Sequence, residues 1–71
     1  MTTLAFHRAV VVGSTAWGTT LAVLLARNGL EVTLLARTAD EAAELATSRE
    51  NHRRLPGVEF PPSLMPSADE T

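Results

Sequence analysis

Apolar and polar positions change period along this chain, and the changes separate strands from helices. Ala9-Val10-Val11-Val12 is a continuous apolar run ended by Gly13. A short unbroken run of this kind predicts a strand buried on both faces, as in a parallel sheet. Gly13 to Gly18 is a loop of small residues. From Trp17 the period becomes helical: Trp17, Leu21, Leu24, Leu25 and Asn28 share one stripe, and all but the last are apolar. Ala22 and Ala26 lie beside that stripe and permit close packing against a sheet. Asn28-Gly29 ends the helix, with Gly29 suited to the left-handed position after the last turn, and Arg27 complements the helix dipole.

Glu31-Val32-Thr33-Leu34-Leu35 predicts a second strand. Thr38-Ala39-Asp40-Glu41 has the form of a capping box and opens a second helix. That helix runs to about Ser48, with Ala42, Leu45 and Ala46 inward and Asp40, Glu41 and Glu44 on a solvated face. Residues 49–54 form a polar, basic-leaning connection, and Leu55-Pro56-Gly57 a turn. Val58–Phe60 is a short strand stopped by Pro61-Pro62. Ser63–Met65 begins another, and Ser67–Thr71 has the form of a helix opening. Alternation of this kind means α/β with a parallel sheet and right-handed crossovers. With 71 residues there is room for one small domain at most. Two or three parallel strands need more helices than this chain supplies, so the simplest reading is the N-terminal piece of a longer protein. A small domain of its own, with open strand edges, is the alternative.

Composition narrows the chemistry. The chain is 45% apolar, but much of that is alanine. Cysteine is absent, which excludes disulfides and thiolate chemistry. All six basic residues are arginine, so lysine-dependent chemistry cannot be completed by this chain. The two histidines, His7 and His52, are far apart, and His52 is expected to be exposed and idle. A net charge of −2 argues against a nucleic-acid partner. No run approaches the ~20 apolar residues of a membrane span, and the first residues lack the pattern of a secretory signal. The expected location is therefore cytoplasmic.

The stretch with chemical content is Val10-Val11-Val12-Gly13-Ser14-Thr15-Ala16-Trp17-Gly18, with glycine spacing G-x-T-x-x-G. A dinucleotide fingerprint reads G-x-G-x-x-G between a strand and a helix, and the context here matches. Gly13 allows the sharp turn off the strand, and Gly18 lets the helix lie close to the sheet. The N–H groups around Ala16, Trp17 and Gly18, at the positive end of the helix dipole, would hold a pyrophosphate. Thr15 replaces the middle glycine. It must turn its Cβ away or place its hydroxyl on a phosphate oxygen. Trp17 reads as a first-turn core residue that can also meet the ligand. A plain βα turn could use the same glycines. A P-loop is excluded by the missing lysine, and a nucleophile elbow by the residues around Ser14.

Arg37 closes the second strand, 19 residues after Gly18. An acidic residue near this position holds the ribose 2′-hydroxyl of NAD, whereas an arginine accommodates the 2′-phosphate of NADP. The planar guanidinium fork suits phosphate. No carboxylate occurs between Glu31 and Asp40, so acceptance of NADP is expected. Arg53 and Arg54 can add positive charge to the same rim.

Residues 11–19, the segment Leu21–Gly29, Glu31–Leu34 and Ala36-Arg37 together resemble the N-terminus of bacterial NAD(P)-dependent glycerol-3-phosphate dehydrogenases. Arg49-Glu50-Asn51, Leu55-Pro56-Gly57-Val58 and Pro61-Pro62-Ser63-Leu64 continue the likeness in register. Trp17-Gly18-Thr19 with the Arg-Glu-Asn and Leu-Pro-Gly blocks is more specific than the glycines alone. The family pattern Gly-Ala-Gly-Ser-Trp-Gly-Thr is altered here at Ser14, Thr15 and Ala16. The resemblance implies the βαβα portion of a Rossmann-type domain over residues 1–71, NADP or NAD as cofactor, and a small phosphorylated substrate in the whole protein. It implies reduction of dihydroxyacetone phosphate to sn-glycerol 3-phosphate for phospholipid synthesis. It places Gly13, Thr15, Ala16, Trp17, Gly18, Arg37, Thr38 and Arg54 at the cofactor. The family's catalytic lysine has no counterpart in this chain, which is therefore expected to be inactive alone. Another Rossmann-type dehydrogenase, or a non-catalytic truncated product or interaction module, are the competing readings.

Overall fold

The computed structural model describes the backbone of residues 2–4 and the whole of residues 7–68. In chain order the elements are β1 (Thr2–Leu4), β2 (Arg8–Val12), α1 (Ala16–Arg27), β3 (Glu31–Leu35) and α2 (Ala39–Ser48). They are followed by β4 (Glu50–Asn51), β5 (Leu55–Glu59) and β6 (Leu64–Ser67). The main sheet has the order β1-β2-β3-β6. Strands β2, β3 and β6 run parallel, in the register Val11 beside Leu34 and Val32 beside Leu64. This is the βαβα opening of a Rossmann-type sheet, as the alternation of periods requires. Strand β1, which the sequence pattern does not predict, pairs antiparallel with β2.

The register explains the core. Ala9 and Val11 of β2, Val32 and Leu34 of β3 and Leu64 of β6 project to one face. There they pack with Ala22, Val23 and Ala26 of α1, Leu45 of α2, and Phe60. The opposite face of the sheet stays open, with Val12 53% and Met65 57% exposed. The expectation of strands buried on both faces is therefore corrected: both helices contribute to one core on one side, and only alternate strand residues are covered.

Helix α1 also turns a different stripe inward from the one predicted. Its buried residues are Gly18, Thr19, Ala22, Val23 and Ala26, which keep the i, i+3, i+4, i+7 spacing of a packed face. Trp17 is 74% exposed and Leu24 49%, so Trp17 is not a core residue. Small residues win the inward face because the helix runs very close to the strands, and larger side chains are displaced to its flanks. Helix α2 buries Ala42 and Leu45; Ala46, expected inward, is exposed.

The segment after α2 is more ordered than its polar sequence suggests. Glu50–Asn51 pairs antiparallel with Leu55–Glu59 as a small separate sheet, so Leu55-Pro56-Gly57 belongs to a strand rather than a turn. Arg49 leaves α2 in the left-handed conformation, with φ of 58°. Its guanidinium Nη2 donates to the carbonyls of Pro61 and Leu64 at 2.8 and 2.9 Å and lies over the Phe60 ring. These contacts steer the chain into β6. Ser67 is the last residue of that strand, and the helix opening expected over Ser67–Thr71 falls mostly on residues 69–71, which lie outside the described residues. Among the described residues no helix is long and apolar enough to cross a membrane.

Candidate functional site

The site forms where β2 and β3 end and α1 and α2 begin. Gly13 leaves β2 with φ of 104°, a conformation open to glycine and costly for other residues. Its N–H donates to the Leu35 carbonyl at 2.9 Å, which keeps the two parallel strands together up to the turn. Gly18 is required for a different reason. A Cβ at residue 18 would overlap the Gly13 carbonyl oxygen. The absence of a side chain thus lets the first turn of α1 fold down onto the strand end.

Thr15 caps α1. Its hydroxyl accepts from the Gly18 N–H at 3.0 Å, and its carbonyl accepts from Thr19 N–H at 2.8 Å. Of the three amides expected to face an anion, that of Gly18 is therefore engaged within the chain. Among the described residues no acceptor meets the N–H groups of Ala16 and Trp17. The first turn of α1 contains no acidic residue, whereas that of α2 contains Asp40 and Glu41. Since a helix N-terminus attracts anions and its own carboxylates satisfy that attraction, α1 is the helix whose positive end remains available.

Glu41 departs from its expected place on a solvated face. One carboxylate oxygen accepts from the Ser14 hydroxyl at 2.8 Å, and the other from the Arg37 N–H at 3.1 Å. Thr38 caps α2 as predicted, its hydroxyl accepting from Glu41 N–H at 3.1 Å. The reciprocal arm of the box reaches one residue further back, to Arg37. The Ser14 hydroxyl holds the Glu41 carboxyl below its usual range. The Arg37 amide and the positive charges of Arg37 and Arg53 act in the same direction, and partial burial opposes them.

Beneath the loop lies Asn51, 3% exposed. Its amide donates to the Ser14 carbonyl and to the Thr19 hydroxyl, both at 2.9 Å, and its carbonyl oxygen accepts from Arg54 N–H at 3.3 Å. All of its side-chain atoms are thereby paired, so β4 anchors the Gly13–Gly18 loop from below and positions Arg54 beside it. An open cavity of about 260 Å³ faces solvent here, lined among others by Gly13, Thr15, Arg37, Glu41 and Arg54. A second, of about 350 Å³, continues past Thr38 toward Arg53 and Arg54.

The fold thus brings Gly13, Thr15, Arg37 and Arg54 to one cavity and Thr38 to its neighbour. Ala16, Trp17 and Gly18 stand at the adjoining helix start. Ser14, Glu41 and Asn51 are the residues that sequence reasoning missed. The capping box pointed to Glu41 but could not show that a serine 27 residues earlier lies within reach. His52, expected to be idle, is exposed and pairs with Glu50 at 3.2 Å.

Residues 8–71 match the model of the family described as NAD-dependent glycerol-3-phosphate dehydrogenase N-terminus. The chain belongs to this family. It is 46% identical over 65 residues to glycerol-3-phosphate dehydrogenase [NAD(P)+] of Bradyrhizobium diazoefficiens, covering 92% of this chain and 20% of that protein. It is 57% identical over 54 residues to the protein of the same name from Prosthecochloris aestuarii, covering 76% and 16%. A crystal structure of glycerol-3-phosphate dehydrogenase from Coxiella burnetii superposes with a TM-score of 0.80 at 37% identity, over 84% of this chain and 18% of that one. The chain spans about one fifth of the length of these relatives.

Proposed function

We propose that residues 1–71 are the N-terminal part of a dinucleotide-binding domain, the portion of an NAD(P)-dependent glycerol-3-phosphate dehydrogenase that holds the phosphates and adenosine end of its cofactor. The observation that carries this reading is the pair of N–H groups on Ala16 and Trp17 that meet no acceptor among the described residues, set at an acid-free helix start beyond Gly13. An anionic diphosphate is the natural occupant of such a start in a Rossmann-type turn. The chain fits the group: Gly13 and Gly18 place no Cβ at the two ends of the turn, and the Thr15 hydroxyl, whose oxygen caps α1, still has a proton to donate. Arg37, Thr38 and Arg54 border the cavities in which the adenosine ribose would lie.

When bound, the nicotinamide would supply the hydride for reduction of dihydroxyacetone phosphate to sn-glycerol 3-phosphate. This chain would contribute binding and orientation. Lysine is absent from its 71 residues, so the chain taken alone would bind without turnover, and the reaction would take place in the cytoplasm. Trp17 is the only tryptophan and is exposed, so its emission offers a direct probe. Saturable quenching by NAD⁺ or NADP⁺, abolished by Gly18→Val, is the expected result. Emission unchanged by both dinucleotides up to millimolar concentration would contradict the proposal.

A further inference from the structure

We infer that Glu41 sets which dinucleotide the site accepts: its carboxylate, held between the Ser14 hydroxyl and the Arg37 amide, favours a ribose with a free 2′-hydroxyl over one carrying a 2′-phosphate. This rests on the reading of the site as a cofactor cradle. The sequence has no acidic residue at the end of β3, where Arg37 stands. In space the missing carboxylate is present, because Glu41 reaches back one helical turn and places an oxygen 3.1 Å from the Arg37 nitrogen. Ser14 fixes the other oxygen from the glycine loop at 2.8 Å, so the group is held at the junction of the two cavities.

An ionised carboxylate has about four lone-pair positions. Two are occupied by Ser14 and Arg37, and two remain for the hydroxyls of a ribose. A 2′-phosphate brings a further charge of about −1.5 to −2. It would meet a negative group that, among the described residues, has no basic side chain within ion-pair distance. The charges of Arg37 and Arg53 reach Glu41 from further away, and with Arg54 they oppose this effect, but all three are exposed and none is tied in place by a side-chain contact among the described residues. A charge fixed by two hydrogen bonds outweighs charges at the ends of long chains that must be ordered before they can bind.

The test is calorimetric titration of the 71-residue chain with ADP-ribose and with 2′-phospho-ADP-ribose, the halves of the two cofactors that this site would meet. The unmodified chain is expected to bind ADP-ribose more tightly. Glu41→Gln should move the ratio of dissociation constants about tenfold toward the phosphorylated ligand. Ser14→Ala, which releases the carboxylate while keeping its charge, should move it the same way by less. Glu31→Gln, at the far end of β3 from the site and outside both cavities, should leave the ratio unchanged. If both ligands bind and Glu41→Gln does not shift their ratio, or Glu31→Gln shifts it as much, the role given to Glu41 is wrong and the cofactor reading stands. If the folded unmodified chain, checked by circular dichroism, binds neither ligand, the cofactor reading itself fails and the inference with it.

Discussion

Gly18 sits so close to Gly13 that no side chain fits between the first turn of α1 and the Gly13 carbonyl. The contact sets the height of the helix above the strand, and through it the position of the Ala16 and Trp17 amides. Gly18→Ala is expected to force the helix outward at a cost of about 1–3 kcal/mol. Urea unfolding followed by far-ultraviolet circular dichroism would show the lower midpoint. Titration with NAD⁺ would show weaker binding beyond the loss of stability.

Asn51 is the anchor beneath the same loop. Asn51→Ala leaves the buried Ser14 carbonyl without its donor and deprives the Thr19 hydroxyl of a partner. The expected loss is about 1–3 kcal/mol, read as a fall in denaturation midpoint. Asn51→Leu, which fills the space without restoring the bonds, should not recover it.

Thr15 spends its hydroxyl oxygen on the Gly18 N–H. Thr15→Gly releases that amide for a phosphate, and glycine is a tolerable cap, so the stability cost should be only a few tenths of a kcal/mol. Dinucleotide binding is expected to tighten. A fall in affinity would mean that the threonine hydroxyl itself donates to the ligand.

Glu41 gives the fold a pH dependence of known sign. Its carboxyl is held below the ordinary glutamate value by Ser14, Arg37 and Arg53. A carboxyl whose value falls on folding stabilises the native state fully above its unfolded value. That contribution is lost as pH drops through the lowered folded value. Thermal unfolding between about pH 6 and pH 3 should show part of the acid loss disappearing in Glu41→Gln, and an unchanged profile would contradict the shift.

These residues also show how far the sequence could be read. The strands at 9–12 and 31–35, both helices and the glycine turn were legible because each rests on local periodicity or on a turn residue with one conformational reason to be there. The inward face of α1 was not, because hydrophobic size favoured Trp17 and Leu24. What decided the face was how closely α1 approaches the sheet at Gly18. Strand β1 escaped, and so did β4 and its pairing with β5, of which only the part from Val58 was expected, because their pairing partners lie outside their own segments. The same holds at the site. Gly13, Thr15, Arg37 and Arg54 were found by motif and resemblance, whereas Ser14 with Glu41 and Asn51 with Thr19 depend on contacts across 27 and 32 residues.

The diphosphate is expected at the start of α1. That placement is tested most directly by amide resonances of the 71-residue chain during titration with ADP-ribose. The account requires saturable shifts that are largest at Ala16 and Trp17, smaller at Arg37, and absent from the open strand face around Met65. Amides at residues 13–18 that stay in place at saturating ligand, or shifts confined to another surface, would contradict it.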